Sequence, residues 1–254
     1  MDLKKWLVTL AAVLSGALAL LFLLLQGPSG GKSDADAVPT PEVTAAPSAS
    51  AGLTIAGVDV DPAADSFELA GKTLSAGDCA SIASLGNLTT LSLKNCNISD
   101  VHFLAGLTQL RTLILSDNAM ADASPLASLS QLRTLYLDRN PVADLSVLSP
   151  LSALTTLSIQ GVEIADYVLE DLQKALPGCT ALEELDLSYN DLNSLAALRS
   201  LTQLRTLNIT GNPALTADMV RSLQEALPAC QIITDIDLSM PEPTPEPPAE
   251  TPQP

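Results

Sequence analysis

The chain has 254 residues, 12 Lys and Arg against 29 Asp and Glu, a formal net charge of −17 and only 3% aromatic residues. So acidic a surface repels a phosphate backbone, which argues against a nucleic-acid partner. The length suits a single domain with flanking segments, and 47% apolar residues suffice to give that domain a core.

Residues 6–26 carry no charge, and Lys4 and Lys5 stand just before them. As a helix, these 21 residues reach across a hydrocarbon core about 30 Å thick. Lysines in front, against Lys32 with Asp34 and Asp36 behind, favour residues 1–5 in the cytoplasm and the body of the chain outside the membrane. A cleaved signal peptide is the rival reading. The apolar run is longer than such peptides need, and no small-x-small site follows it closely, so a retained signal anchor is expected. Residues 27–52 are rich in Gly, Ser, Ala, Pro and Thr without apolar periodicity, which predicts a disordered linker.

Residues 53–84 read as an N-terminal cap and an atypical first repeat. Leu53 to Val60 alternates like an edge strand closing the core. Phe67, Leu69 and Leu74 fit strand positions, and Ser75 with Asp78 predicts a capping box on a short helix. Asp59, Asp61 and Asp65 lack the glycine and distal glutamate of a calcium loop and read as a solvated capping loop.

A seven-residue phrase then recurs, LTQLRTL from Leu107, LSQLRTL from Leu129 and LTQLRTL from Leu201. Residues 85–106, 107–128 and 129–150 are three blocks of 22, with apolar residues at positions 1, 4, 7, 9 and 14. Positions 7 and 9 alternate with polar neighbours, as a one-faced strand requires. Position 12 is Cys96, Asn118 and Asn140, where an amide can satisfy backbone groups of the adjoining turn. Residues 151–178 lengthen the frame with an insertion that reads as a helix from Asp166 to Gly178, and residues 201–229 lengthen it again with a helix over 216–227. The exits of the two insertions nearly repeat one another, ALPGC and ALPAC. A last partial block, 230–240, predicts one more strand around Ile236 and Leu238. Pro241 removes a backbone donor and ends the ladder.

The pattern resembles the leucine-rich-repeat family, L-x-x-L-x-L-x-x-N/C-x-L. The shorter repeats are similar to the bacterial internalin type and the two longer ones to the ribonuclease-inhibitor type. The resemblance implies an α/β leucine-rich-repeat solenoid over 85–240. About eight parallel strands would form a curved sheet, with 3-10 turns, loops and short helices on its convex side. Residues 241–254, PEPTPEPPAETPQP, predict a solvated, disordered Pro/Glu-rich tail.

Nothing in the sequence supplies catalysis. There is one histidine, His102, no glycine-rich phosphate loop and no nucleophile elbow. Cys79, Cys96, Cys179 and Cys230 form no Cys-x-x-Cys pair and read as free thiols. No enzyme, cofactor or metal ion is expected. The recurring Arg111, Arg133 and Arg205, and the recurring Asp100, Asp122, Asp144 and Asp166, read as structural.

Binding is expected on the concave face, where positions 6, 8 and 10 point away from the core. Position 8 reads Glu68, Ser92, Ile114, Tyr136, Ser158, Asp186, Asn208 and Asp237. Ile114 and Tyr136 on adjacent strands make an apolar patch with Asp138 and Arg139 beside it, Gln160 follows on the next strand, and Glu184, Asp186, Asp235 and Asp237 make one end acidic. The chain is therefore expected to be a monomeric, membrane-anchored extracytoplasmic protein. Its partner-binding residues are expected to be Ile114, Tyr136, Asp138, Arg139, Ser158, Gln160, Glu184, Asp186, Asn208 and Asp237. The ligand would be a protein or cell-envelope component, and a basic one suits the acids. The alternative is a structural or adhesive envelope spacer with no single ligand.

Overall fold

The computed structural model describes residues 52–162 and 174–239. The expected membrane helix, most of the linker, the body of the first inserted helix and the Pro-rich tail lie outside the described residues. Among those described, no helix is long and apolar enough to cross a membrane.

The described chain opens on two short antiparallel strands, β1 (Leu53–Ile55) and β2 (Val58–Val60), joined at Ala56 and Gly57, both at positive φ. One continuous edge strand was expected here. The Ala-Gly pair folds it into a hairpin, because glycine accepts the left-handed turn without a Cβ penalty. Ile55 and Val60 still close the core as the alternation predicts. Helix α1 (Ala76–Ala83) starts on the expected capping box, with Ser75 accepting from the Asp78 N–H and Asp78 accepting from the Ser75 N–H. The other Asp78 oxygen accepts from Ala56 N at 2.6 Å, tying the hairpin to the helix.

Eight parallel strands, the first of them before α1, form a single sheet ordered by sequence from β3 to β10. They are β3 (Ser66–Ala70), β4 (Thr90–Lys94), β5 (Thr112–Ile114), β6 (Thr134–Tyr136), β7 (Thr156–Ser158), β8 (Glu184–Asp186), β9 (Thr206–Asn208) and β10 (Gln231–Ile233). Each strand pairs with the next at the same repeat position, so Leu91, Leu113, Leu135, Leu157, Leu185 and Leu207 form one buried row. Short 3-10 helices such as His102–Leu104, Ser124–Ser128 and Ala196–Ser200 return the chain, and helix α2 (Ala217–Ala226) fills the last lengthened repeat. A repeat buries its leucines only against its neighbours, which is why the two ends need the hairpin with α1 and then α2 as covers.

β10 departs from the sequence reading. It forms at Gln231–Ile233, with Ile232 opposite Leu207, and not around Ile236 and Leu238. After ALPGC four residues intervene before β8, whereas after ALPAC the chain enters its strand at once. The shared phrase therefore ends in two registers, and position 8 of the last strand is Ile233 rather than Asp237.

Position 12 does what its chemistry allows. Asn118 Oδ1 accepts from the N–H of Cys96 and of Ile98, each at 3.0 Å, and its amide donates to Leu93 O at 2.8 Å and Leu115 O at 2.7 Å. Asn140, Asn190 and Asn212 repeat the pattern. No buried side-chain nitrogen or oxygen lacks a partner among the described residues. Position 16 is a row of caps: Asp100, Asp122 and Asp144 each accept from the N–H two residues on, Ser194 does the same from Ala196, and Thr216 caps α2.

These bonds set an acid limit on the fold. Asp78 is held below the ordinary carboxylate range by the Ser75 side chain first and by the backbone of Ala56 and Ser75 next, and Asp100 and Asp122 are lowered chiefly by the N–H groups they accept. A pKa lower in the folded than in the unfolded chain gives stability that is present above about pH 4 and is lost as pH falls through the folded values. The melting temperature should therefore hold from neutral pH to about pH 4 and decline below it. Asp78→Asn should reduce that slope, and an unchanged slope would remove Asp78 from the account.

The four cysteines are free, three of them buried. Burial pushes the Cys179 thiol up to about 11, so it is an inert packing group.

Candidate functional site

The face of the sheet turned away from the core is built by positions 6, 8 and 10, because the leucines at 7 and 9 take the inner side. Strand pairing sets Ile114, Tyr136, Ser158, Asp186 and Asn208 side by side across β5 to β9. Position 6 is a row of threonines, Thr90 to Thr156, broken by Glu184, whose carboxylate accepts from Thr156 Oγ1 at 3.3 Å.

Most of the acids on this face are already engaged. Asp138, at position 10 and only 9% exposed, accepts from Ser116 Oγ at 2.9 Å, from Ser158 Oγ and from Gln160 N at 3.0 Å. Asp186 accepts from Ser188 N at 2.8 Å, from Ser188 Oγ and from Asn208 Nδ2 at 3.0 Å. Gln160 links the two groups through Ser188 Oγ at 3.1 Å. A chain of hydroxyls and amides thus holds two carboxylates in place on either side of the Ser158 strand.

Tyr136 lies half-buried among them. Burial raises its phenol pKa first, and the negative charges of Glu184, Asp138 and Asp186 add to the shift, which puts all three carboxylates in the field of one phenol. With Ile114 on the neighbouring strand, the ring forms an apolar spot framed by acids on the C-terminal side.

Asp237 does not join them. The register of β10 puts it beyond the sheet, where it accepts from Ser239 N at 2.9 Å and from Ser239 Oγ. Asp235 takes position 10 of the last strand instead, and its carboxylate accepts from Gly211 N at 3.2 Å. Arg139 is also displaced from the expected patch. It sits one step past the sheet face, paired with both oxygens of Asp117 and reaching Gln160 Oε1 at 3.3 Å.

Position 11 forms the rim at the exit of the strands. It reads Gly71, Asn95, Asp117, Arg139, Gly161, Tyr189 and Gly211, all at φ between 52° and 71°. This left-handed turn aims the N–H at the position-10 carbonyl of the next repeat, as in Tyr189 N to Thr210 O at 2.8 Å, except in the last copy, where Gly211 N donates to the Asp235 carboxylate. Gly, Asn and Asp take the conformation at little cost, whereas a larger side chain there costs roughly 1–3 kcal/mol. Arg139 and Tyr189 are the exceptions. Tyr189 is 62% exposed, and strand alternation does not reveal it, because alternation assigns only positions 6, 8 and 10 to the outward face. Its signal lay in the series at position 11, where an aromatic replaces Gly, Asn or Asp.

The family described as leucine rich repeats (2 copies) matches residues 86–128, 108–150 and 180–220. Comparison with curated proteins gives no match. Among solved structures, an internalin from Listeria monocytogenes is similar with a TM-score of 0.51 and 19% identity, over 71% of this chain and 65% of that one. Internalin C2 of the same organism is 35% identical over 51% of this chain and 55% of its own, with a TM-score of 0.46. A leucine-rich-repeat protein of Leptospira interrogans is 22% identical over 60% and 44%, with a TM-score of 0.47. The chain thus spans less than two thirds of the length of each, and the first likeness is one of fold.

Proposed function

We propose that this chain, whose repeats match leucine-rich-repeat models over residues 86–150 and 180–220 and whose fold is internalin-like, is a binding module whose open sheet face receives a protein or cell-envelope ligand. Leucine-rich repeats mediate protein–protein interaction in general. The observation that supports a specific site here is the half-buried Tyr136 beside Ile114, within the field of Glu184, Asp138 and Asp186. An aromatic anchor framed by ordered carboxylates suits a partner that presents a basic side chain next to an apolar one. The charge-free run at 6–26 supports a tether in the membrane, with the repeats on the extracytoplasmic side.

The hydrogen bonds that already occupy Asp138 and Asp186 favour a second reading, an envelope spacer whose face is merely solvated and self-satisfied. Capture of envelope proteins on the immobilised full-length chain separates the two. Saturable capture should fall at least tenfold when Tyr136→Ala is combined with Asp186→Lys, through loss of the aromatic anchor and reversal of one charge. Capture that does not saturate, or that ignores the double substitution, favours the spacer. Topology has its own measurement: protease added to intact cells should remove the repeats, and protection until lysis would reject the extracytoplasmic placement.

A further inference from the structure

Tyr189 holds a backbone conformation that the rim elsewhere assigns mainly to Gly, Asn and Asp, and its ring is well placed for contact. A Cβ at position 211 would stand 2.7 Å from its Cδ1 and 3.2 Å from its Cγ, so the ring lies across Gly211 in space that only glycine leaves open. On its other side the Tyr189 carbonyl borders Gly161, where a Cβ would meet Arg139 Cγ at 3.3 Å. The ring is thus pinned on one side by a glycine backbone and open on the other, with 62% of the residue exposed. Asp235 meets the same glycine, accepting from Gly211 N at 3.2 Å. Tyr189 is the one exposed aromatic among the described residues, and a strained residue supported by a neighbouring glycine has no packing role that its exposure would explain.

We infer that the open face of the Tyr189 ring receives a cationic side chain, Lys or Arg, of the protein partner, with Asp235 supplying the adjacent negative charge. The ring face carries negative quadrupole density and attracts a cation stacked on it. A chain of net charge −17 favours a basic visitor over a second copy of itself or an anionic polymer. The rim would then extend the sheet-face site, with the partner anchored at Tyr136 and crossing the strand exits at Tyr189. The inference rests on the sheet face being the binding face.

Calorimetric titration of the full-length chain with a hexalysine peptide at about 0.15 M salt tests it. Binding should be saturable, unchanged in Tyr189→Phe and weakened two- to fivefold in Tyr189→Leu, which keeps the bulk and loses the quadrupole. Tyr189→Gly should weaken binding as much while raising the melting temperature by about 2–4 °C, because it relieves the backbone. Equal affinity in Tyr189→Leu, or no saturable binding by the native chain, overturns the inference. The Tyr136→Ala, Asp186→Lys chain separates the two claims. Loss there with Tyr189→Leu unaffected sinks the rim contact and leaves the sheet-face reading standing. Loss in Tyr189→Leu alone leaves cation binding at the rim but rejects the sheet face, and with it the partner that spans both.

Discussion

Asn118→Ala should lower the stability of the repeat domain by about 3 kcal/mol and its melting temperature by roughly 6–12 °C. The reason is the geometry of one buried amide. Its oxygen takes two main-chain N–H groups from the turn of the preceding repeat, and its nitrogen serves a carbonyl on each of two adjacent repeats. Removing it strands buried donors, at about 1–3 kcal/mol each, where water has little room to replace it. Asn118→Leu distinguishes this account from a simple loss of volume. The leucine restores bulk and satisfies none of the four groups, so it should be no more stable than the alanine. Asn118→Asp should be worse still, since it sets a carboxylate against the carbonyls of Leu93 and Leu115. Urea unfolding of the three variants decides the matter, and a leucine variant as stable as the native chain would sink it.

That position is also where the sequence is most transparent. An asparagine at a fixed distance from two strand leucines has one good use in a stack of turns, and its spacing gave the strands, their order and the inward face. The sheet's outward face was legible for Ile114, Tyr136, Ser158, Asp186 and Asn208 because strand alternation alone assigns it. Legibility failed where the frame changes length. Cys179 and Cys230 follow nearly the same phrase, yet one leads into a turn closed by Leu182 N to Cys179 O and the other into β10 directly. Only contact with the preceding strand decides between them, so Asp237 was placed four residues out of register. Tyr189 was lost for a different reason. Backbone φ is not a periodicity, and a left-handed turn shows in a sequence only through the Gly, Asn and Asp that usually fill it.

Gly178→Ala is expected to cost about 3 kcal/mol, as much as the loss of the ladder asparagine, although it adds one methyl group. Conformation is not the obstacle, since Gly178 ends a 3-10 helix, Leu176–Gly178, on the right-handed side of φ. Space is. A Cβ there would stand 2.1 Å from the carbonyl oxygen of Ser149 and 2.9 Å from its carbonyl carbon, and backbone atoms cannot rotate aside. Gly106 precedes Leu107 just as Gly178 precedes Cys179, but nothing lies within 4 Å of its would-be Cβ, so Gly106→Ala should be close to neutral. Ser149→Ala should not rescue Gly178→Ala, because the hydroxyl is only the second contact. The clash also reaches the proposed binding face. Relief requires the lengthened repeat to move off its neighbour, and that repeat feeds β8, which carries Glu184 and Asp186. Moving β8 away from β7 separates those carboxylates from Tyr136 and Ser158, so Gly178→Ala should weaken partner capture even where the protein stays folded. A Gly178→Ala chain with native stability and native capture would mean that the 28-residue repeat is not stacked as tightly as its glycine implies.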